Sequence, residues 1–217
     1  MLRFVAIRRE IADTCRFLAD HGFFAGTGGN IGVRLDDDLM AVTPSATDYY
    51  SIGAADVPII DIATQKVVEG DKTPTVEKPL HACMIKAFPS RRASIHTHQP
   101  VASAVALLHE GLSWEPSVDR ASYGSNIALI PYRPSGTGML ARAFAKAMRP
   151  DTYAYIMASH GVICSAESLK AATAMLRQIE RTAQLHLHRR IQQNPTIDKQ
   201  LRSFLSAALE KSQSKGA

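Results

Sequence analysis

Apolar residues recur at helical spacing over residues 5–20, where Ile7, Ile11, Cys15, Leu18 and Ala19 share one face. His21-Gly22 is a stop signal for that helix. The segment GTGGNIGVRL follows, and its Gly26, Gly28 and Gly29 permit positive φ or close backbone approach. Residues 31–35 alternate as a strand does. The acidic run 36–38 forms its turn and 39–43 the returning strand, which together predict a hairpin. Short strands are expected at 59–62 and 66–68. Pro74 precedes a helix over 76–87, with Pro79 in its first turn, where proline is tolerated, and Glu77 at or near its N-terminus. A strand at 93–98 leads through Pro100 into the apolar run VASAVALL, which reads as a helix. Residues 111–126 are irregular by pattern. A strand at 127–132, the turn RPSGTG, a helix at 139–148 and a short apolar strand at 153–158 follow, the last ending just before His160. A long helix is expected over 168–192, then one more helix candidate and a polar tail from about residue 211, predicted to fray.

Strands and helices thus alternate without internal repeats or low-complexity linkers. The layout predicts a single α/β (α+β-like) domain over residues 1–217, built on a central, mainly antiparallel sheet flanked by helices. With 217 residues, 46% hydrophobic and 21% charged, the chain can bury a sizeable core. No run of 18 apolar residues offers a membrane span, and the first helix lacks a signal peptide's apolar core, so a cytoplasmic location is expected. The formal charge of +5 is spread over scattered pairs such as Arg8-Arg9 and Arg91-Arg92. No basic block or nucleic-acid motif accompanies it. A mild positive field suits a small anionic substrate, although solubility alone also accounts for it. Cys15, Cys83 and Cys164 have no paired spacing and read as buried thiols.

The chemistry lies in the histidines. His96 and His98 stand two apart on an expected strand, so both side chains point to one face. With His160 and Glu77 they make three imidazoles and a carboxylate, a set suited to Zn²⁺ or another divalent transition metal. Glu77 has two possible roles, as a metal ligand and as a general base once substrate displaces it. A plain first-turn carboxylate favoured by the helix dipole is the competing explanation. His81, one turn after Glu77, is placed to support it from behind. His21 and His109 do not join the set by pattern. His186 and His188 point apart on a helix and read as surface residues.

GTGGN lacks the full spacing of a dinucleotide fingerprint and the lysine of a phosphate loop. Successive amides can still hold an anion. Three oxygen-binding spots recur between elements: Thr27 to Asn30, Thr43 to Ser45, and Thr75. Glycine turns and Ser/Thr caps account for each alone. Beside a metal site they point to a phosphorylated small molecule.

The ordered series GTGGNIGVR, TPSA, PTVEKPLH, HTHQP, PYRPSGT and SHGVI, with Glu77 ahead of His96, resembles the class II aldolase/adducin family over most of the chain. The resemblance implies a zinc site of Glu77, His96, His98 and His160. It implies a phosphate pocket at Thr27, Asn30, Ser45, Ala46, Thr75 and Val76. It also implies a homotetramer with active sites between subunits. The implied activity is that of a metal-dependent lyase, closest in pattern to fuculose-phosphate aldolase, cleaving a small phosphorylated ketose through an enediolate with the glutamate as base. Decarboxylation of a 3-oxo sugar-acid phosphate, epimerisation and dehydration are the alternatives within the family; an adducin-like interaction domain would need no metal ligands. Ala46 stands where the family has glycine, and Val76 where it has a serine hydroxyl. The family's aldolase tyrosines have no counterpart in PSVDRAS or in FLSAALEKSQSKGA.

Overall fold

The computed structural model describes residues 2–213. Eight strands form one sheet: β1 (Asn30–Arg34), β2 (Leu39–Val42), β3 (Ile59–Asp61), β4 (Val67–Glu69), β5 (Ala93–Thr97), β6 (Ile127–Ile130), β7 (Ala154–Met157) and β8 (Gly161–Ala166). Their spatial order is β4-β3-β2-β1-β5-β8-β7-β6. Only β6 and β7 pair in parallel; the other six neighbours are antiparallel. The expected mainly antiparallel sheet is therefore present. The β1–β2 hairpin turns where the acidic run stands, because the Asp36 carboxylate accepts the amides of Asp38 and Leu39.

Helices cover both faces. The helices are α1 (Val5–Asp20), α2 (Lys78–Ala87), α3 (Pro100–Leu107), the short α4 (Arg120–Tyr123), α5 (Gly138–Ala147), α6 (Leu169–Gln193) and α7 (Lys199–Gln213). The larger core joins Ile11, Cys15 and Leu18 of α1, Val101 and Val105 of α3, and Met175 and Ile179 of α6 to Ile31, Ile95 and Val162 of the sheet. On the opposite face, Leu80 and Met84 of α2 meet Leu140 and Phe144 of α5 over Tyr155 and Ile163. Alternation lets β7 and β8 feed both cores, and along β5 Ile95 enters the first while Ser94 and His96 turn toward α2. The buried Arg8 ties α1 to the far edge, donating to the Val57 carbonyl at 2.6 Å and pairing with Glu69 of β4.

Three elements depart from the pattern. The helix expected from residue 76 starts at Lys78, leaving Val76 and Glu77 ahead of it. β8 was not predicted as a strand; all six of its residues are buried, so the sequence carries no polar alternation to mark it. The irregular stretch 111–126 contains α4, started by the Asp119 side chain, which accepts the amide of Ala121. The tail expected from about 211 continues as helix to Gln213, and its remainder lies outside the described residues.

Candidate active site

The site forms at one end of the sheet, where β1 begins, β5 ends and β8 begins. Register fixes the first contacts: Asn30 pairs with His96, and His96 with Ile163. His98 lies one residue past the end of β5, and its ring stays on the His96 side, with centroids 4.7 Å apart. His160 occupies the β7–β8 turn, which is closed by the left-handed Ser159 (φ 53°). Its ring stands 4.7 Å from that of His96 and 5.3 Å from that of His98. Glu77 enters from the N-terminal end of α2. Its side chain caps no helix amide, so dipole stabilisation alone does not explain its placement. The carboxylate instead reaches His96 Nε2 at 3.3 Å and His160 Nε2 at 3.2 Å.

Glycines make the room. A Cβ at Gly28 would lie 2.7 Å from His98 Nδ1, and one at Gly161 would lie 2.5 Å from the Thr97 carbonyl and 2.8 Å from the His98 ring. The glycine-rich loop is itself held down, with Tyr49 Oη donating to the Gly29 carbonyl at 2.6 Å.

The His96 imidazole is set up to present a lone pair. His96 Nδ1 donates to the Val162 carbonyl at 2.7 Å, which leaves Nε2 bare. That Nε2 faces His98 Nε2 at 3.0 Å. Ligand atoms of His96, His98 and His160 all lie within 4.8 Å of one another. Ligands around a four-coordinate ion at about 2.0–2.1 Å stand roughly 3.3 Å apart. The observed separations of 3.0, 3.2 and 3.3 Å match that spacing. The three imidazoles can therefore coordinate a divalent metal ion.

Electrostatics agree with this arrangement. Burial pushes the pKa of His96 down to about 3, against the pull of Glu77, and burial also lowers that of His98. Both are neutral at pH 7, the form that binds metal. Burial opposes the charge of Glu77 but is outweighed: contacts from His160, His96 and the Asn30 amide hold its carboxyl well below the usual range. The His160 contact is the largest of the causes that lower it. Asn30 Nδ2 donates to Oε2 at 2.8 Å and Ser135 Oγ to Oε1 at 3.0 Å. Ser135, which also lies 3.4 Å from His160 Nε2, was missed from the sequence. The signal for it was the segment PYRPSGT, which the sequence marks as a turn and a family-like motif without assigning its serine a role.

The three expected phosphate spots converge on this end of the sheet. Ser45 N donates to the Thr73 carbonyl at 2.8 Å and Thr75 N to the Thr43 carbonyl at 3.0 Å, so the two segments run side by side. Several of the side chains turn inward. Thr43 Oγ1 accepts the Ile31 amide, Thr75 Oγ1 accepts the Glu77 amide, and Asn30 is held between Glu77 and His81. Thr27 is exposed and Ser45 half-buried. Ala46 holds φ 49°, the left-handed conformation that favours glycine there. Val76 is 61% exposed, an apolar surface at the mouth. Of the other histidines, His109 bonds Ser159 Oγ, next to His160 in the chain, and His186 pairs with Glu110.

Residues 9–187 match the family of class II aldolase and adducin N-terminal domains. The chain is 33% identical over 183 residues to a 5-deoxy-D-ribulose 1-phosphate aldolase of Bacillus thuringiensis serovar kurstaki, covering 82% of this chain and 83% of that one. It is 29% identical over 189 residues to a methylthioribulose-1-phosphate dehydratase of Pectobacterium atrosepticum, covering 82% and 91%. Among solved structures, an L-fuculose 1-phosphate aldolase superposes with a TM-score of 0.78 at 24% identity, covering 96% of this chain and 98% of that one.

Proposed function

This chain belongs to the class II aldolase and adducin N-terminal domain family, and from that premise we propose that it is a metal-dependent lyase of the aldolase type acting on a small phosphorylated ketose. The observation that carries this reading is the Glu77 carboxylate, held within 3.3 Å of two members of a three-histidine cluster. In this reading His96, His98 and His160 hold the ion, Glu77 completes the set until substrate takes its place, and zinc suits three nitrogens and one oxygen. When bound, the ion polarises the substrate carbonyl as a Lewis acid and offsets negative charge that develops beside it.

The chain's own residues handle the proton. Glu77 is ionised at neutral pH, as His160, His96 and Asn30 together outweigh its burial, and it accepts hydrogen bonds from Asn30 and Ser135. Giving up those bonds on substrate entry raises its proton affinity and makes it an effective base. In the cleavage direction it takes the proton of the hydroxyl next to the scissile bond. The O–H electron pair becomes the aldehyde C=O, and the C–C pair stays with the three-carbon fragment as an enediolate. Protonated Glu77 then returns the proton to carbon. Thr27 and Ser45, together with local amides from Asn30, Ala46 and Val76, are the proposed phosphate contacts, the Thr75 amide being bonded to the Thr43 carbonyl. Val76 contributes backbone only.

A product screen by mass spectrometry over paired phosphorylated and unphosphorylated ketoses and sugar acids tests the reading. An aldehyde and a three-carbon ketone phosphate are expected, with turnover falling by about 10²–10⁴ in Glu77→Gln. Metal content should drop in His96→Ala and His98→Ala; unchanged stoichiometry in both would reject the ligand set. Dehydration is the second reading, favoured by the relative named as a dehydratase and by the absence of the aldolase tyrosines. Loss of water with the carbon chain intact would select it, and release of carbon dioxide would select decarboxylation.

A further inference from the structure

Besides His96, a second fully buried histidine lies behind the site, and the ion cluster does not use it. The His81 ring is fully buried between α2 and the sheet. Its Nε2 lies 2.7 Å from Asn30 Oδ1 and its Nδ1 2.9 Å from Ser94 Oγ. Asn30 in turn places Nδ2 2.8 Å from Glu77 Oε2. The chain reserves space for this ring. Gly32, in the middle of β1, would place a Cβ 2.7 Å from His81 Cβ and 2.8 Å from Cγ. Gly32 does not have a positive φ, so the missing side chain matters here for room and not for backbone freedom.

The polarity of this chain of contacts is determined. An ionised carboxylate only accepts hydrogen bonds, so the Asn30 amide must turn its nitrogen to Glu77. Its oxygen then faces His81, which requires a proton on Nε2. A neutral imidazole with Nε2–H has a bare Nδ1, which accepts from the Ser94 hydroxyl. The opposite tautomer sets two lone pairs against each other at 2.7 Å. Flipping Asn30 to relieve that contact would set its oxygen against the carboxylate at 2.8 Å. In a buried site either arrangement leaves unsatisfied groups. The Ser94 hydroxyl therefore serves His81 in preference to the weak acceptor Met84 Sδ at 3.5 Å.

We propose that His81 is a positioning residue: its Nε2–H fixes the Asn30 amide with nitrogen toward Glu77 and so holds the Glu77 carboxylate against His96 and His160. The consequence for the reaction rests on the reading of Glu77 given above, but the positioning itself does not.

The direct test is long-range ¹H–¹⁵N NMR of the metal-free, histidine-labelled protein at neutral pH. A His81 signal with Nε2 protonated and Nδ1 bare is expected, and the Nδ1–H tautomer would overturn the proposal without any variant. Zinc affinity, by competition with a chromophoric chelator, gives the second readout. His81→Leu and Gly32→Ala should weaken zinc roughly 10- to 100-fold. His81→Gln, whose amide nitrogen reaches the Nε2 position, should restore it to within a few-fold. Wild-type affinity in His81→Leu, or a His81→Gln variant as weak as His81→Leu, would also overturn the proposal. If the tautomer and the affinity series come out as expected while no sugar phosphate is turned over, the functional reading fails and the positioning role stands.

Discussion

His81 and His96 are fully buried away from water, where a charged imidazole is costly, and burial lowers their pKa values to about 4 and about 3. An unfolded histidine takes up a proton near pH 6.5. Below that pH the unfolded chain binds protons that the folded chain does not, so stability is complete above about 6.5 and is lost as pH falls toward 4. For His81 alone the loss reaches roughly 3 kcal/mol. Urea unfolding of the metal-free protein at pH 7.5 and 5 should show the drop, and His81→Gln should reduce it, leaving the share of His96. A glycine sets a second residue-scale limit. Gly161→Ala would force a methyl against the Thr97 carbonyl and the His98 ring, with an expected cost of about 1–3 kcal/mol and loss of bound metal. Thermal melts and metal analysis of that variant check both effects. At this scale residue type and spacing were legible: three histidines and a glutamate stood out because few structural roles ask for that set. Ser135 did not stand out, because a serine in a glycine-proline turn looks the same whether it faces solvent or a carboxylate.

Among the elements, α3 begins two residues after His98, and α6 holds that start in place. Both oxygens of Glu180 accept amides there, Val101 N at 2.7 Å and Ala102 N at 2.9 Å, while Gln99 Nε2 donates to the Leu176 carbonyl. Glu180→Ala leaves two helix amides without their partner and is expected to cost about 1–3 kcal/mol and to loosen His98. Chemical denaturation and chelator competition measure the two effects. Burial raises the pKa of Glu180 despite these bonds. Its folded pKa thus exceeds the unfolded value of about 4.3, so its ionisation costs stability as pH rises from there through the raised value. Glu180→Gln should lack that slope. The elements themselves were mostly readable from apolar spacing, within two residues at α2 and β1. β8 was not, since a strand buried on both faces has no alternation to read.

For the molecule as a whole, no described helix is long and apolar enough to cross a membrane. Apolar side chains remain exposed at Val76, next to Glu77, at Tyr132 and Met139, and on the C-terminal helix at Leu201 and Phe204. We propose that a homotetramer covers part of this surface, as the family resemblance implies. Light scattering over a range of concentrations should give about four times the 23.6 kDa chain mass. A persistent monomer would remove the basis for a site shared between subunits.

The sequence by itself determined the fold class, the alternation of elements and the histidine-carboxylate set, because these depend on local periodicity and on residue chemistry. It also determined that Ala46 and Val76 bring no hydroxyl to the mouth. The tertiary structure alone decided which partners those residues have. Strand register sets Asn30 opposite His96, and the start of α2 swings Glu77 toward two imidazoles and away from a capping role. The same packing turns Thr43, Thr75 and Asn30 inward, although their positions suggested anion contacts. It also seats His81 over Gly32, 49 positions away in sequence. Such contacts join segments that are distant along the chain, and spacing along one strand or helix carries no information about them.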